Sequence, residues 1–183
     1  MSALFILGGA RSGKSRYAIA THTTQTDVAF IATAQAGDGD MAARIARHRA
    51  ERPPKWATIE EPFEVPARVR ELARTRVDAV IVDCVTVWIA NRMLRGDADA
   101  AILAAVDELA QIVARCPCAV TLVSNEVGEG VHPPTEAGLH FRDLLGVVNQ
   151  RLAAACDRVV LMVAGLPLIL KEQTRHENPV QAP

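Results

Sequence analysis

Five short apolar runs, rich in β-branched residues, punctuate the chain: A-L-F-I-L (3–7), V-A-F-I-A (28–32), D-A-V-I-V-D (78–83), A-V-T-L-V-S (119–124) and R-V-V-L-M-V (158–163). None alternates cleanly between apolar and polar positions, which is the pattern of strands covered on both faces in a parallel sheet. A further short strand is expected at Ala57–Glu60. Between the runs lie helical patterns at Lys14–Thr21, Met41–Glu51, Val65–Thr75, Ala98–Cys116 and Glu136–Ala155. In the fourth, Ile102, Val106, Leu109 and Val113 recur at three- and four-residue spacing and give one apolar face. Strands alternating with helices predict an α/β three-layer sandwich around a mostly parallel central sheet. Residues 1–171 hold all of these elements as a single domain, and 172–183 read as a polar C-terminal tail.

Composition narrows the classes. The chain has 183 residues, half of them apolar, with a mean hydropathy of +0.13, which is ample material for one core. With 20 basic and 21 acidic side chains the net charge is −1, so no global field argues for nucleic acid or an anionic membrane. All the basic residues except Lys14, Lys55 and Lys171 are arginines. Arginine suits bidentate phosphate binding, but a skewed overall composition gives the same excess. No apolar run reaches the roughly 18 residues of a membrane helix, and the N-terminus lacks a basic segment followed by a long apolar one. The expectation is a cytoplasmic protein without membrane insertion. Cys84, Cys116, Cys118 and Cys156 are sparse, and Cys116-Pro-Cys118 lacks zinc-site spacing, so free thiols are expected.

The chemistry-bearing motif follows the first strand directly. G-G-A-R-S-G-K-S (8–15) satisfies G-x-x-x-x-G-K-[ST] through Gly8, Gly13, Lys14 and Ser15. Glycines let such a loop wrap with its N–H groups inward, and the next helix presents its N-terminus to the same anion. Lys14 would reach the β- and γ-phosphates, and the Ser15 hydroxyl would take a place on Mg²⁺. The fold class is therefore a P-loop NTPase of RecA-like type. Asp83 ends an apolar strand, where such folds place a carboxylate for Mg²⁺ or its water shell; a helix N-cap or a solvated strand end is the alternative. Ser12–Ser15, Thr33–Gln35, Asp83 and Asn125–Glu126 all follow strands and should line one sheet edge.

Residues 44–53 set His48 among Arg44, Arg47, Arg49 and Arg52. On a helix Arg44, His48 and Arg52 fall on one face. Guanidinium groups disfavour imidazolium, so His48 should be neutral and nucleophilic near pH 7, beside charges that attract a triphosphate. Such a cluster suits covalent catalysis at phosphorus. A solvated basic face with an incidental histidine fits the same residues.

G-G-A-R-S-G-K-S, I-A-T-A-Q (31–35), M-A-A-R-I-x-x-H-R-x-x-R-P (41–53), V-S-N-E-V-G-E-G (123–130) and H-F-R-D-L-L-G-V-V-N-Q-R-L-A-A-A-C-D (140–157) together resemble one family. It is the bifunctional adenosylcobinamide kinase/adenosylcobinamide-phosphate guanylyltransferase family of cobalamin biosynthesis, and the likeness spans Leu4 to about Leu170. The resemblance implies that ATP or GTP phosphorylates adenosylcobinamide, and that GTP then guanylylates His48 on the way to adenosylcobinamide-GDP. It implies a nucleotide site of Gly8, Gly9, Ala10, Arg11, Ser12, Gly13, Lys14 and Ser15, completed by Thr33, Ala34, Gln35, Arg49, Ala50, Glu51, Arg52, Glu60 and Asp83. It also implies a homotrimer, with Mg²⁺ accompanying the nucleotide and no tightly bound organic cofactor. Where relatives can carry a glutamate, this chain has the shorter Asp83.

Other residues carry less. Asn125 and Glu126 fit either a nucleotide- or metal-orienting pair or a capped loop. His140 and Arg142 read as packing or surface groups, Trp56 and Trp88 as core or interface anchors, and His22, His132 and His176 have no partner pattern. A plain P-loop kinase is one rival reading. A nucleotide-dependent switch is another, but the N-K-x-D tetrapeptide expected of a GTPase switch is absent.

Overall fold

The computed structural model describes residues 2–35, 52–130 and 132–173. Seven strands form one sheet: β1 (Ala3–Gly8), β2 (Val28–Ala32), β3 (Ala57–Glu60), β4 (Ala79–Asp83), β5 (Ala119–Val123), β6 (Arg158–Val163) and β7 (Leu166–Glu172). Among the described residues five helices accompany them: α1 (Lys14–Thr21), α2 (Val65–Leu72), α3 (Val85–Arg95), α4 (Asp99–Arg115) and α5 (Glu136–Ala155). The sheet order is β3-β2-β4-β5-β1-β6-β7, parallel throughout except for the antiparallel β6–β7 pair. The three-layer, mostly parallel architecture expected from the sequence is the one observed.

Apolar runs bury both faces of the central strands, and alternate residues go to different cores. Phe5, Val80, Val82, Val120 and Leu122 face α2 to α5, meeting Val69, Trp88, Ile102, Leu109, Leu145 and Leu152. Leu4, Ile6, Phe30, Ile81 and Val160 face the other way, toward Ala18 of α1 and Trp56. Both tryptophans are therefore core residues.

Two elements were not foreseen. The helix α3 was unread, although Val85, Trp88, Ile89 and Arg92, all buried, recur at i, i+3, i+4 and i+7. Gly96 closes it in the left-handed conformation at φ +92°. The strand β7 folds back on β6 through Ala164 and Gly165, both at positive φ (+51° and +82°), as a two-residue hairpin turn of the primed type needs. It extends to Glu172, one residue beyond the expected domain end, and Lys171 Nζ donates to the carbonyls of Ala153 and Ala154 at the end of α5. The helix expected at Met41–Glu51 lies outside the described residues.

Candidate functional site

The C-terminal ends of β1, β2, β4 and β5 open onto one edge of the sheet. From β1 the chain enters the glycine-rich loop at Gly8, φ +151°. A Cβ there would stand 2.6 Å from the Met162 carbonyl oxygen and 2.7 Å from Ser12 Oγ, so only glycine fits. Arg11 (φ +56°) and Gly13 (φ +95°) are also left-handed, and such turns point backbone N–H groups into a concavity. Lys14 opens α1, is 8 % exposed, and folds back so that Nζ donates to the Gly9 carbonyl at 2.6 Å. Ser12 Oγ is buried without a hydrogen-bond partner. A buried hydroxyl of this kind, in a loop with left-handed turns, fits an oxyanion.

Neighbouring segments brace the loop. Gly165 N–H donates to the Ser12 carbonyl (3.1 Å), and Glu126 N–H donates to the Gly8 carbonyl (3.0 Å). The hairpin turn of β6–β7 thus supports the loop from one side and the segment after β5 from the other.

Asp83 ends β4, half-buried and in register with Ala32 and Val123. The N-cap of α3 is Cys84, which removes the capping reading of Asp83. Burial pushes the Cys84 thiol up to about 12, and the Asp83 carboxylate beside it adds to the shift. Thr33 locks this end of β4 to β2. Its Oγ1 donates to the Cys84 carbonyl (2.8 Å) and accepts from Cys84 N–H (2.9 Å), while its own N–H donates to the Asp83 carbonyl (3.3 Å). Ala34 is half-buried and Gln35 exposed.

Sequence reasoning missed Asn91, on α3. Its Nδ2 donates to the Thr33 carbonyl (2.8 Å) and the Pro62 carbonyl (3.1 Å), tying the loops after β2 and β3 together. One turn earlier Trp88 Nε1 donates to the Phe63 carbonyl (2.7 Å).

Glu60 ends β3 exposed, in register with Ala32, and Arg52 stacks its guanidinium 3.8 Å from the Phe30 ring while Nη1 donates to Thr58 Oγ1. Both stand on the β2–β3 side. With strands about 4.8 Å apart, Asp83 is about 10 Å from β1 along the edge and Glu60 about 19 Å. His48, Arg49, Ala50 and Glu51 lie outside the described residues. The Ser15 hydroxyl and the Asp83 carboxylate are hard oxygen donors of the kind Mg²⁺ takes. Among the described residues no group of three or more His, Cys, Asp or Glu could hold a metal by itself.

The described histidines stand elsewhere. His140 pairs with Asp99 at the surface, and Arg142 donates to His132 Nδ1 and to Asp143. His22 is buried between Gln25 and Thr121. Among the described residues no helix is long and apolar enough to cross a membrane.

A glycine-rich phosphate loop between the first parallel strand and its helix, with a carboxylate two strands away, defines a nucleotide-binding fold of the RecA-like P-loop class. Solved structures share it. One is an ATPase from the type III secretion system of pathogenic bacteria (TM-score 0.57, 10 % identity, covering 87 % of this chain and 50 % of that one). Another is the RadB recombinase (TM-score 0.51, 16 % identity, 87 % and 73 %). At such identities the likeness concerns the fold alone.

Sequence similarity goes further: residues 4–170 match the cobinamide kinase / cobinamide phosphate guanyltransferase family, and the chain belongs to it. The bifunctional adenosylcobalamin biosynthesis protein CobP of Pseudomonas aeruginosa is 44 % identical over 168 residues, 91 % of this chain and 95 % of the relative. The corresponding CobU proteins of Salmonella typhimurium and Escherichia coli are 41 % and 39 % identical, each over 92 % of this chain and 99 % of the relative. The chain is thus an enzyme of the combined kinase and nucleotidyltransferase class.

Proposed function

We propose that this chain carries out both reactions of its family at one nucleotide site. The γ-phosphoryl group of ATP or GTP passes to the hydroxyl of the aminopropanol arm of adenosylcobinamide. GMP from GTP then passes, by way of a guanylyl-His48 intermediate, to the phosphate just made, giving adenosylcobinamide-GDP. The single observation that carries the reading is the buried, unpartnered Ser12 hydroxyl inside a loop with left-handed residues at Arg11 and Gly13, in a chain of this family.

Gly8, Gly9, Ala10, Arg11, Ser12 and Gly13 cradle the phosphates, and Lys14 exchanges the Gly9 carbonyl for a phosphate oxygen. Ser15 and Asp83 are the residues that would hold Mg²⁺, which when bound neutralises charge on the outer phosphates. Thr33, Ala34, Gln35, Arg49, Ala50, Glu51, Arg52 and Glu60 complete the nucleotide contacts. In the second reaction the neutral imidazole of His48 attacks the α-phosphorus. A P–N bond forms and the P–O bond to pyrophosphate breaks, with nearby arginines stabilising the charge that develops. A phosphate oxygen of the acceptor then attacks the same phosphorus, and the imidazole leaves. One domain over residues 1–171, a homotrimeric assembly and a cytoplasmic location accompany this reading.

Labelling with α-³²P-GTP separates the two reactions. His48→Ala should abolish the acid-labile protein adduct while leaving phosphorylation of adenosylcobinamide measurable, whereas Lys14→Ala should damage both. An adduct that persists in His48→Ala would show another nucleophile at work.

A further inference from the structure

Asn149 stands on the buried face of α5 beside Val148 and Leu152 and is 7 % exposed. A carboxamide in such a stripe is costly unless its hydrogen bonds are made inside the protein. Here they are made, and their directions follow from proton accounting. Asn149 Oδ1 can only accept, so Ser124 Oγ donates to it (2.8 Å). With its proton committed, Ser124 Oγ must accept from Thr86 Oγ1 (3.2 Å). Thr86 Oγ1 in turn accepts from Asn125 N–H (2.7 Å), and Asn149 Nδ2 donates to the Asn125 carbonyl (3.1 Å). The four bonds close a ring that consumes both backbone polar groups of Asn125.

Residues on either side of Asn125 are fixed as well, Ser124 N–H to the Ile6 carbonyl (2.9 Å) and Glu126 N–H to the Gly8 carbonyl (3.0 Å). The Asn125 side chain is the exception. It is half-buried and makes no hydrogen bond among the described residues. It follows β5, the strand between β1 with its phosphate loop and β4 with Asp83. A ring of hydrogen bonds within the core therefore holds a loop residue immobile while leaving its carboxamide uncommitted, at the edge between the two phosphate-handling segments.

We propose that the Asn125 carboxamide contacts the terminal phosphoryl group during the kinase reaction, and that Asn149 is the positioning residue that fixes it there. The inference rests on the proposed function, in which Lys14 and Ser15 hold the outer phosphates. A carboxamide N–H aimed at the equatorial oxygens stabilises charge in the transferring group, and its value depends on being held before the reaction begins. The α-phosphorus, attacked in the guanylyl step, is two bridging oxygens away from that group. Asn125 therefore matters more to one reaction than to the other.

Steady-state kinase assays and single-turnover His48 guanylylation on the full chain test this. Asn125→Ala should lower kinase kcat by roughly 100-fold, in line with loss of one preorganised donor, with a change of threefold or less in the rate of adduct formation. Asn149→Ala should lower kinase kcat roughly 10-fold with nucleotide KM little changed. The double variant should be no slower than Asn125→Ala alone, because a positioning residue has nothing left to position. If Asn149→Ala does not fold, Ser124→Ala breaks the same ring and enters the same comparison. Full kinase activity in Asn125→Ala, equal losses in both reactions, or additive losses in the double variant would overturn the proposal. Failure of the wild-type chain to phosphorylate adenosylcobinamide at all would instead overturn the functional reading beneath it.

Discussion

The first two glycines of the phosphate loop look equivalent in sequence but are not equivalent in space, and alanine at each gives opposite outcomes. At Gly8 a Cβ would meet the Met162 carbonyl oxygen at 2.6 Å, well inside the 3.0 Å that real Cβ contacts respect, and Ser12 Oγ at 2.7 Å. The obstructing oxygen is backbone, in the β6 residue paired with Gly8 itself, so relief means prising β1 from β6 at the mouth of the site. Overpacking of this kind costs about 1–3 kcal/mol, and the φ of +151° adds about 1–3 more for a residue with a side chain. A total near 4 kcal/mol corresponds to a fall of about 10 °C in melting temperature for a domain of this size. Gly9 has nothing within 4 Å of its would-be Cβ and no positive φ, so Gly9→Ala should stay within about 0.5 kcal/mol of wild type. Urea denaturation and thermal melts of the two variants, side by side, read the difference. If Gly8→Ala melts within about 2 °C of wild type, or Gly9→Ala falls as far as Gly8→Ala, the steric account of the loop is wrong.

Two further substitutions test the scaffold. Burial holds His22 below the usual imidazole range, with the Gln25 hydrogen bond opposing the shift. The folded state then takes up fewer protons than the unfolded one. The contribution of His22 is complete above about pH 6.5 and is lost as pH falls from there toward the folded pKa, by at most about 1.4 kcal/mol per pH unit; His22→Gln should flatten that loss in denaturation series between pH 7 and 5. Trp88→Phe removes the Nε1–H bond to the Phe63 carbonyl (2.7 Å) at a fully buried position and should cost about 1–3 kcal/mol in urea denaturation. An equally stable phenylalanine variant would show that water or a neighbour replaces the indole.

The strands were readable because burial on both faces leaves an unbroken apolar run, a signal that needs no knowledge of partners. The phosphate loop and Asp83 were readable because a local motif dictates the backbone and a strand end dictates the edge. What escaped depends on contacts between distant segments. Nothing near Asn91 in sequence says that the loops after β2 and β3 will both bring carbonyls to it, and nothing near Asn149 says that Ser124 will face it. The strand β7 escaped for another reason: Leu166, Leu168, Ile169 and Leu170 remain exposed, so its apolar residues mark pairing with β6 and not burial. The helix α3 is different again, since its periodicity was present in the sequence and went unread.

Order along the sheet edge constrains the proposed chemistry. The segment carrying His48 leaves the described structure after Gln35, beyond β2, and re-enters at Arg52, before β3. Its two anchors are therefore on the β2–β3 side, and β2 is three strand spacings, about 14 Å, from the strand that feeds the phosphate loop. In the proposed function, a triphosphate whose outer phosphates rest on Gly8–Ser15 has β5 and β4 between it and those anchors. Asn125, Asp83 and Thr33 stand along that line in that order. Asn125 and Asp83 stand one and two strands from the phosphate loop on the same side and in the proposed function act on phosphoryl transfer, whereas Thr33 secures the point at which the chain departs from β2. The hydrogen bonds that Thr33 makes to both polar groups of Cys84, and that Asn91 makes to Thr33, hold that departure point against β4. In the proposed function the two reactions therefore use one nucleotide site in turn, the kinase step drawing on the groups at the ends of β4 and β5 and the guanylyl step on a fresh GTP bound at the same loop.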